Sequence, residues 1–293
     1  MENKKVKNNI NLLNYTTIKI GGYTEFFAEP NNISELIEHL KWVKLNNLKY
    51  RIIGAGSNLL IKSTFHNGLT ICTRKLKKIK IDKISGLVEA ECGVMLPFMA
   101  NLLAQNGCEG GEWLIGIPGT IGGAVFMNAG SGKLWISKYL LSVQVLDIEN
   151  LAIYEIDKKN LNFEYRFSSF QTNKFIILGA NFKFKPNQNI KNIISETKQN
   201  LKKKTNTQPY HLPSFGSVFK NPVNNYAGKL IEEVGLKGFS IGGAQVSLMH
   251  SNFIVNNGNA TSEEIYKLII VIQQKVLQKK GIFLHPEVRM IGY

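Results

Sequence analysis

The chain has 293 residues, of which 44% are hydrophobic and 19% charged, with 36 Lys+Arg against 21 Asp+Glu (36 − 21 = +15). This composition excludes wholesale disorder and supports two or three domains of about 100–200 residues, each with its own core. Cys72, Cys92 and Cys108 form no C-x-x-C pair, and an odd count argues against a disulfide framework, so a reducing cytosol is the expected compartment.

In chain order, the basic start MENKKVKNNI is followed by no apolar h-region, and no apolar run approaches the ~18 residues of a membrane span. A soluble, cytoplasmic protein is therefore expected. Residues 15–30 alternate like a strand, break at Gly21-Gly22 and resume. Ile33, Leu36, Ile37, Leu40 and Val43 predict a helix capped by Asn32, with Glu35 three residues on. Short strands are expected at 50–53, 59–61, 69–72 and 87–91, then a helix over 96–106 ending at Gly107. Residues 108–130 are Gly-rich and show no clear period. A hairpin is expected over 143–148 and 152–156, a strand over 175–184, a boundary at Pro186 and a polar, Lys-rich helix over 190–204. The last third predicts a short helix over 226–234 and a strand at 252–255. Thr261 with Glu264 makes a capping box for an amphipathic helix carrying Ile265, Leu268, Ile269, Ile272 and Val276, which Gly281 ends. A final strand over 282–291 is broken by Pro286. Strands and helices without regular βαβ alternation give an α+β class.

Five constellations could carry chemistry. Gly54-Ala55-Gly56-Ser57-Asn58 follows the strand Arg51-Ile52-Ile53. Glycine permits close backbone approach, and successive N–H groups in such a turn form an anion nest. Leu59 stands where a dinucleotide fingerprint needs its third Gly, so the choice is between a phosphate nest of another kind and an ordinary tight turn. Gly116-Ile117-Pro118-Gly119-Thr120-Ile121-Gly122-Gly123-Ala124, followed by Met127-Asn128-Ala129-Gly130, holds enough glycine to suggest main chain lying against a flat ligand or a diphosphate, or else a Gly-rich core turn. It fails the P-loop pattern. Tyr165-Arg166-Phe167-Ser168 sets an Arg among aromatics; it is an edge-strand Arg or, if buried, a partner for a carboxylate. Ser217 in Gly216-Ser217-Val218 lies in no nucleophile elbow and is either a local turn cap or a proton donor on a rigid loop. In His285-Pro286-Glu287-Val288-Arg289, Glu287 and Arg289 share a strand face, as a structural ion pair or with Glu287 facing a cavity as an acid. No metal-ligand spacing occurs, so no metal is expected. The basic runs Arg74 to Lys83 and Lys202-Lys203-Lys204 read first as solvated surface, although a positive field attracts phosphorylated ligands.

Together these segments resemble the UDP-N-acetylenolpyruvoylglucosamine reductase family. The match runs from TTIKIGG (16–22) through GAGSNLL (54–60), GIPGTIGGAVFMNAG (116–130), YRFSSF (165–170), GSVFKNP (216–222), AGKLIEEVGLKG (227–238) and IGGAQVS (241–247) to PEVRMIG (286–292). The resemblance implies a vanillyl-alcohol-oxidase/PCMH-type FAD-binding fold of two subdomains, at 1–80 and 81–186, plus a C-terminal α+β substrate domain at 187–293. It implies FAD and NADPH as cofactors and reduction of UDP-N-acetylglucosamine enolpyruvate to UDP-N-acetylmuramate. FAD would be held by Gly54, Ala55, Gly56, Ser57, Asn58, Leu59, Ile117, Pro118, Gly119, Thr120, Gly123, Ala124 and Asn128. Substrate would be held by Tyr165, Lys220, Asn221 and Gln245. Arg166 and Glu287 would polarise the substrate carboxylate and Ser217 would deliver the proton. The chain departs from the family pattern at SGKLW (131–135), Phe215 and QVSLMH (245–250), and the short stretch between YRFSSF and FIILGANF matches its more compact subtype. The partners implied are the UDP-sugar and NADPH alone, with no nucleic acid, no membrane and a monomeric state. Another flavin oxidoreductase of this fold is the nearer rival. A basic nucleic-acid-binding protein is favoured only by the +15 charge.

Overall fold

The computed structural model describes residues 5–172 and 174–293. They divide into two compact units. The first comprises Met1–Lys7, Phe26–Ala55 and Gly68–Lys204; the second comprises Asn8–Glu25, Gly56–Asn67 and Thr205–Tyr293.

Unit 1 is built on an antiparallel five-stranded sheet, in the order Ile153–Asp157, Leu140–Asp147, Phe175–Lys183, Leu87–Glu91, Ile79–Asp82. The central strand, FIILGANFK, is buried along most of its length, which suits a continuous apolar run covered on both faces. The core gathers Leu103, Trp113, Ile121, Val143, Val145 and Phe182. A parallel pair, Tyr50–Ile53 with Leu69–Cys72, runs toward the first glycine turn. Helix α1 (Ile33–Leu45) starts where expected, the Asn32 side chain accepting the Glu35 N–H at 2.9 Å. The Glu35 carboxylate reaches the Asn31 N–H instead of the cap residue's own. Helix α2 is Leu96–Gln105.

Unit 2 holds a four-stranded antiparallel sheet, in the order Ser214–Ser217, Phe253–Asn256, Ala244–Val246, Ser240–Ile241. Its core includes Ile18, Ile20, Leu60, Phe215, Phe219 and Ile269. The longest helix of this unit, Ser262–Lys280, has the full capping box: Thr261 Oγ1 accepts the Glu264 N–H at 3.2 Å and Glu264 Oε2 accepts the Thr261 N–H at 3.0 Å. All five predicted apolar positions are fully buried, each worth about 1.5–3 kcal/mol. Gly281 closes it in the left-handed conformation.

Three expectations change. Residues 15–22 are not strand: a 3-10 turn at Leu12–Tyr15 leads into a loop, and the strand is Tyr23–Ala28. Thr16 Oγ1 donates to the Ile20 carbonyl at 2.8 Å and accepts the Ile20 N–H at 3.2 Å, clasping a loop that buries Ile18 and Ile20. The alternation is thus a bent loop presenting every second side chain inward. The aperiodic stretch 108–130 contains a short helix α3, Ile121–Met127, N-capped by Thr120 and ended by Asn128 at φ 46°. Its two glycines each disfavour helix by about 1 kcal/mol, which erased the local pattern. Of 282–291, only Arg289–Ile291 is strand, parallel to Leu59–Ile61.

Candidate active site

The strand Tyr50–Ile53 delivers Gly54 against Thr120. A Cβ on Gly54 would lie 2.5 Å from Thr120 Oγ1, so only glycine admits this approach. Thr73 Oγ1 donates to the Ile53 carbonyl at 3.2 Å and fixes the end of the strand. The turn then passes from unit 1 to unit 2 between Ala55 and Gly56. Gly56 has φ 66°, and a Cβ there would lie 2.0 Å from the Tyr15 carbonyl oxygen. Asn58 Nδ2 donates to the Glu287 carbonyl at 3.1 Å, and the Arg289 N–H donates to the Asn58 carbonyl at 2.9 Å. Leu59 pairs with Arg289. Of the expected cofactor residues, Asn58 and Leu59 thus adjoin the chain that bears Glu287.

The second glycine segment is pinned to the end of the strand Leu87–Glu91 and to the start of α2. The Leu96 N–H bonds to Gly119 O at 2.9 Å, Ile121 N–H to Val94 O at 2.9 Å and Gly122 N–H to Cys92 O at 2.8 Å. The paired glycines of α3 have different surroundings. Gly122 faces inward, where a Cβ would sit 3.0 Å from the Cβ of Cys92, whereas beside exposed Gly123 the nearest atom is Thr120 Oγ1 at 3.7 Å. Main chain at Gly123 is therefore open to a flat ligand, flanked by Thr120 and Ala124. Ile117 and Pro118 lead into it from the 3-10 turn Glu112–Gly116. Thr120 is where the two glycine segments meet. Asn128 is 1% exposed, and its carboxamide donates to the Glu164 carbonyl at 2.8 Å and accepts the Ser137 N–H at 3.4 Å. Its side chain is engaged on the hairpin that carries Arg166.

That hairpin pairs Phe163–Glu164 with Phe167–Ser168, leaving Tyr165 and Arg166 at the tip, and Arg166 adopts φ 56°. Left-handed backbone is uncommon for arginine and persists only where surroundings hold it. Ser168 Oγ donates to the Phe126 carbonyl at 2.6 Å, and Gln171 Nε2 donates to Phe126 O at 3.1 Å and Arg166 O at 3.3 Å. Arg166 Nη2 donates to Gly130 O at 3.2 Å, and its guanidinium lies 5.1 Å from the Tyr165 ring centre. The second and third motifs thus come together in unit 1.

A cation that the sequence reading left among solvated surface lysines joins them. Lys204, near the end of helix α4 (Ile190–Thr207), is half-buried. A Cβ on Gly116 would lie 2.6 Å from its Cγ. Its pKa is lowered, first by burial and then by the positive charges of Arg166 and Lys203. Two cations held this way favour an anion beside them. The legible signal was helical: residue 204 continues the inward face of Ile193 and Thr197, whereas Lys202 and Lys203 are exposed.

In unit 2, Ser217 ends the strand Ser214–Ser217 opposite Phe253, between the buried anchors Phe215, Val218 and Phe219. The chain carrying Glu287 runs alongside: the Glu287 N–H bonds to Val218 O at 2.7 Å, the Lys220 N–H bonds to His285 O at 2.9 Å, and Phe219 bridges Pro286. Ser217, at the end of its strand, and Glu287, in the segment before the strand Arg289–Ile291, are both half-buried and lie on backbone segments tied to one another. Of the expected substrate residues, Lys220 lies three residues beyond Ser217, its N–H held by the His285 carbonyl. Asn221 Oδ1 accepts the first N–H of the short helix α5 (Ala227–Glu233) at 3.0 Å, and Gln245 Nε2 donates to Gly238 O at 3.2 Å.

In unit 1, the open glycine-lined main chain with cations nearby fits a flavin-binding domain. An FAD binding domain model matches residues 24–150, and the model of the UDP-N-acetylenolpyruvoylglucosamine reductase C-terminal domain matches 208–291. The UDP-N-acetylenolpyruvoylglucosamine reductase of Prochlorococcus marinus subsp. pastoris (strain CCMP1986) is 63% identical over 293 residues, covering 100% of this chain and 99% of that protein. That of Prochlorococcus marinus strain MIT 9313 is 44% identical, covering 97% and 92%. The crystal structure of the enzyme from Thermus caldophilus aligns with a TM-score of 0.82 at 30% identity, covering 98% of each chain. The chain belongs to the UDP-N-acetylenolpyruvoylglucosamine reductase family. It has the expected α+β fold, an FAD-binding domain followed by the family's C-terminal domain, and it is an FAD- and NADPH-using oxidoreductase.

Proposed function

We propose that the protein reduces the enolpyruvyl ether of UDP-N-acetylglucosamine to UDP-N-acetylmuramate, with Arg166, Ser217 and Glu287 as the groups that act on the substrate. FAD, when bound, supplies hydride transfer from NADPH to the methylene carbon of the enolpyruvyl group. Gly54, Ala55, Gly56, Ser57, Asn58 and Leu59, with Ile117, Pro118, Gly119, Thr120, Gly123 and Ala124, hold it, and Asn128 supports the fold around it. Residues 1–80 and 81–186 serve as its two binding subdomains, and 187–293 as the substrate domain.

Hydride addition to the methylene carbon leaves negative charge on the adjacent carbon and its carboxylate. Arg166 binds that carboxylate through its planar fork and stays charged throughout. Fixed donors act best where charge grows in a site from which water is excluded. Glu287 holds a proton toward the same carboxylate, since two ionised carboxylates would repel. Ser217 Oγ gives its proton to the carbanionic carbon, completing the saturated ether, and regains one from its surroundings. Lys204 adds a second positive charge near Arg166. The reading extends to a cytoplasmic monomer that supplies wall precursor for growth and division; no described helix is long and apolar enough to cross a membrane.

The observation that carries this reading is the backbone tie between the segments bearing Ser217 and Glu287, Glu287 N–H to Val218 O at 2.7 Å. The test is Ser217→Ala in anaerobic stopped flow. Bleaching of the flavin by NADPH should be unchanged, while its reoxidation by the enolpyruvyl sugar nucleotide slows by about 100-fold or more. Equal loss in both halves rejects the role.

A further inference from the structure

We propose that Asn252 is the positioning residue for Ser217. It sits at the turn before the strand Phe253–Asn256, 4% exposed, and its functional groups converge on the two residues after Ser217. Its main-chain carbonyl accepts the Val218 N–H at 2.9 Å. Its side-chain Oδ1 accepts the Phe219 N–H at 3.0 Å, and its Nδ2 donates to the Phe219 carbonyl at 2.9 Å.

The carboxamide does here what a neighbouring strand would do. The ladder between Ser214–Ser217 and Phe253–Asn256 has an irregular register and ends at the Ser217–Phe253 pair. Beyond that pair, Asn252 substitutes its amide for the missing peptide group and continues the pairing through Phe219. On the other edge, Val218 O accepts the Glu287 N–H at 2.7 Å, and Phe219 bridges Pro286. Residues 218–219 are thus a two-residue splint, with Asn252 on one side and the Glu287 chain on the other. Asn252 sets where the splint lies, and the splint sets the separation of the hydroxyl of Ser217 from the carboxyl of Glu287. The His250 ring fixes Asn252 in turn: Nδ1 accepts the Asn252 N–H at 3.2 Å.

None of these Asn252 contacts is to a residue assigned to FAD, so loss of the carboxamide should leave FAD reduction untouched and act only when a proton must arrive at carbon. Misplacing a catalytic group by about 1 Å can cost about 100-fold. Asn252 makes no contact with the reacting atoms in this assignment; it acts through Ser217, and the inference therefore rests on the proton-donor role proposed above.

The test is a double-mutant cycle on the holoenzyme with Asn252→Ala and Ser217→Ala. N252A should slow flavin reoxidation by the enolpyruvyl sugar nucleotide about 100-fold. Flavin bleaching by NADPH should stay within about threefold of wild type, because the carboxamide bonds to no residue assigned to FAD. In the S217A background, N252A should add little further loss, because the group it positions is already gone. If S217A itself fails to slow reoxidation, the proton-donor reading falls. If S217A slows it but N252A does not, or if the two losses multiply, the positioning role of Asn252 is overturned. Should N252A not yield folded flavoprotein, Asn252→Asp decides by the same comparison. It keeps the shape and, when ionised, replaces the Nδ2 donor by a carboxylate oxygen that repels the Phe219 carbonyl.

Discussion

Replacing Gly54 with alanine should destabilise the protein through one identifiable atom. The added Cβ would lie 2.5 Å from Thr120 Oγ1, where real Cβ contacts essentially never fall below 3.0 Å. The hydroxyl must therefore retreat by at least 0.5 Å (3.0 − 2.5). Thr120 is 1% exposed, so it has nowhere open to go, and its Oγ1 caps helix α3 by accepting the Gly123 N–H at 3.4 Å. Overpacking of this kind costs about 1–3 kcal/mol and loss of the cap about 1 kcal/mol, so Gly54→Ala should cost about 2–4 kcal/mol. Thr120→Ala alone loses the cap, about 1 kcal/mol. In the double variant the obstacle is gone, and the total should be about 1–2 kcal/mol, against about 3–5 kcal/mol if the effects simply added. Urea unfolding of the FAD-free proteins reads all four corners of the cycle, and a fluorescence titration reads FAD affinity, which should fall in the single Gly54 variant. Additivity within about 0.5 kcal/mol would refute the claim that the two glycine segments meet at this hydroxyl.

Two further outcomes are expected. Lys204→Met removes a half-buried cation whose pKa lies below the ordinary 10.5. Between the lowered value and 10.5 the unfolded chain binds more protons than the folded one, so the destabilisation is present at neutral pH and fades as pH rises. The variant should therefore melt higher than wild type at pH 7, with the difference shrinking toward alkaline pH in thermal scans, while its affinity for the anionic substrate falls; a constant difference across pH refutes the electrostatic cause. Thr261→Ala should cost about 1 kcal/mol in urea unfolding through loss of the N-cap, without changing either half-reaction.

What the residues disclose beforehand depends on how local the cause is. Helix Ser262–Lys280 was fully legible because its apolar spacing, its Thr261–Glu264 box and its Gly281 stop are all written within twenty-odd consecutive positions. Helix α3 was not, because Gly122 is chosen for its approach to Cys92, a demand set by a distant strand and opposed to helix propensity. The alternation over 15–22 misled because burial of Ile18 and Ile20 in a loop imitates a pleat. For the site, the motifs named Arg166, Ser217 and Glu287, but the backbone tie between the segments bearing the last two is long-range. Lys204 was hidden in a run of three lysines, and only its place on the inward face of α4 separates it from the exposed pair before it.

The interleaving of the two units has a consequence for how this enzyme can be taken apart. Unit 2 draws its core partly from Ile18, Ile20 and Leu60, three fully buried side chains encoded far upstream of Thr205. A gene fragment beginning at Thr205 would encode a protein with three empty sockets, each forfeiting about 1.5–3 kcal/mol. Exchange of the C-terminal part between relatives by simple end-joining is thereby penalised, and such chimaeras should be viable only when the two upstream segments travel with it.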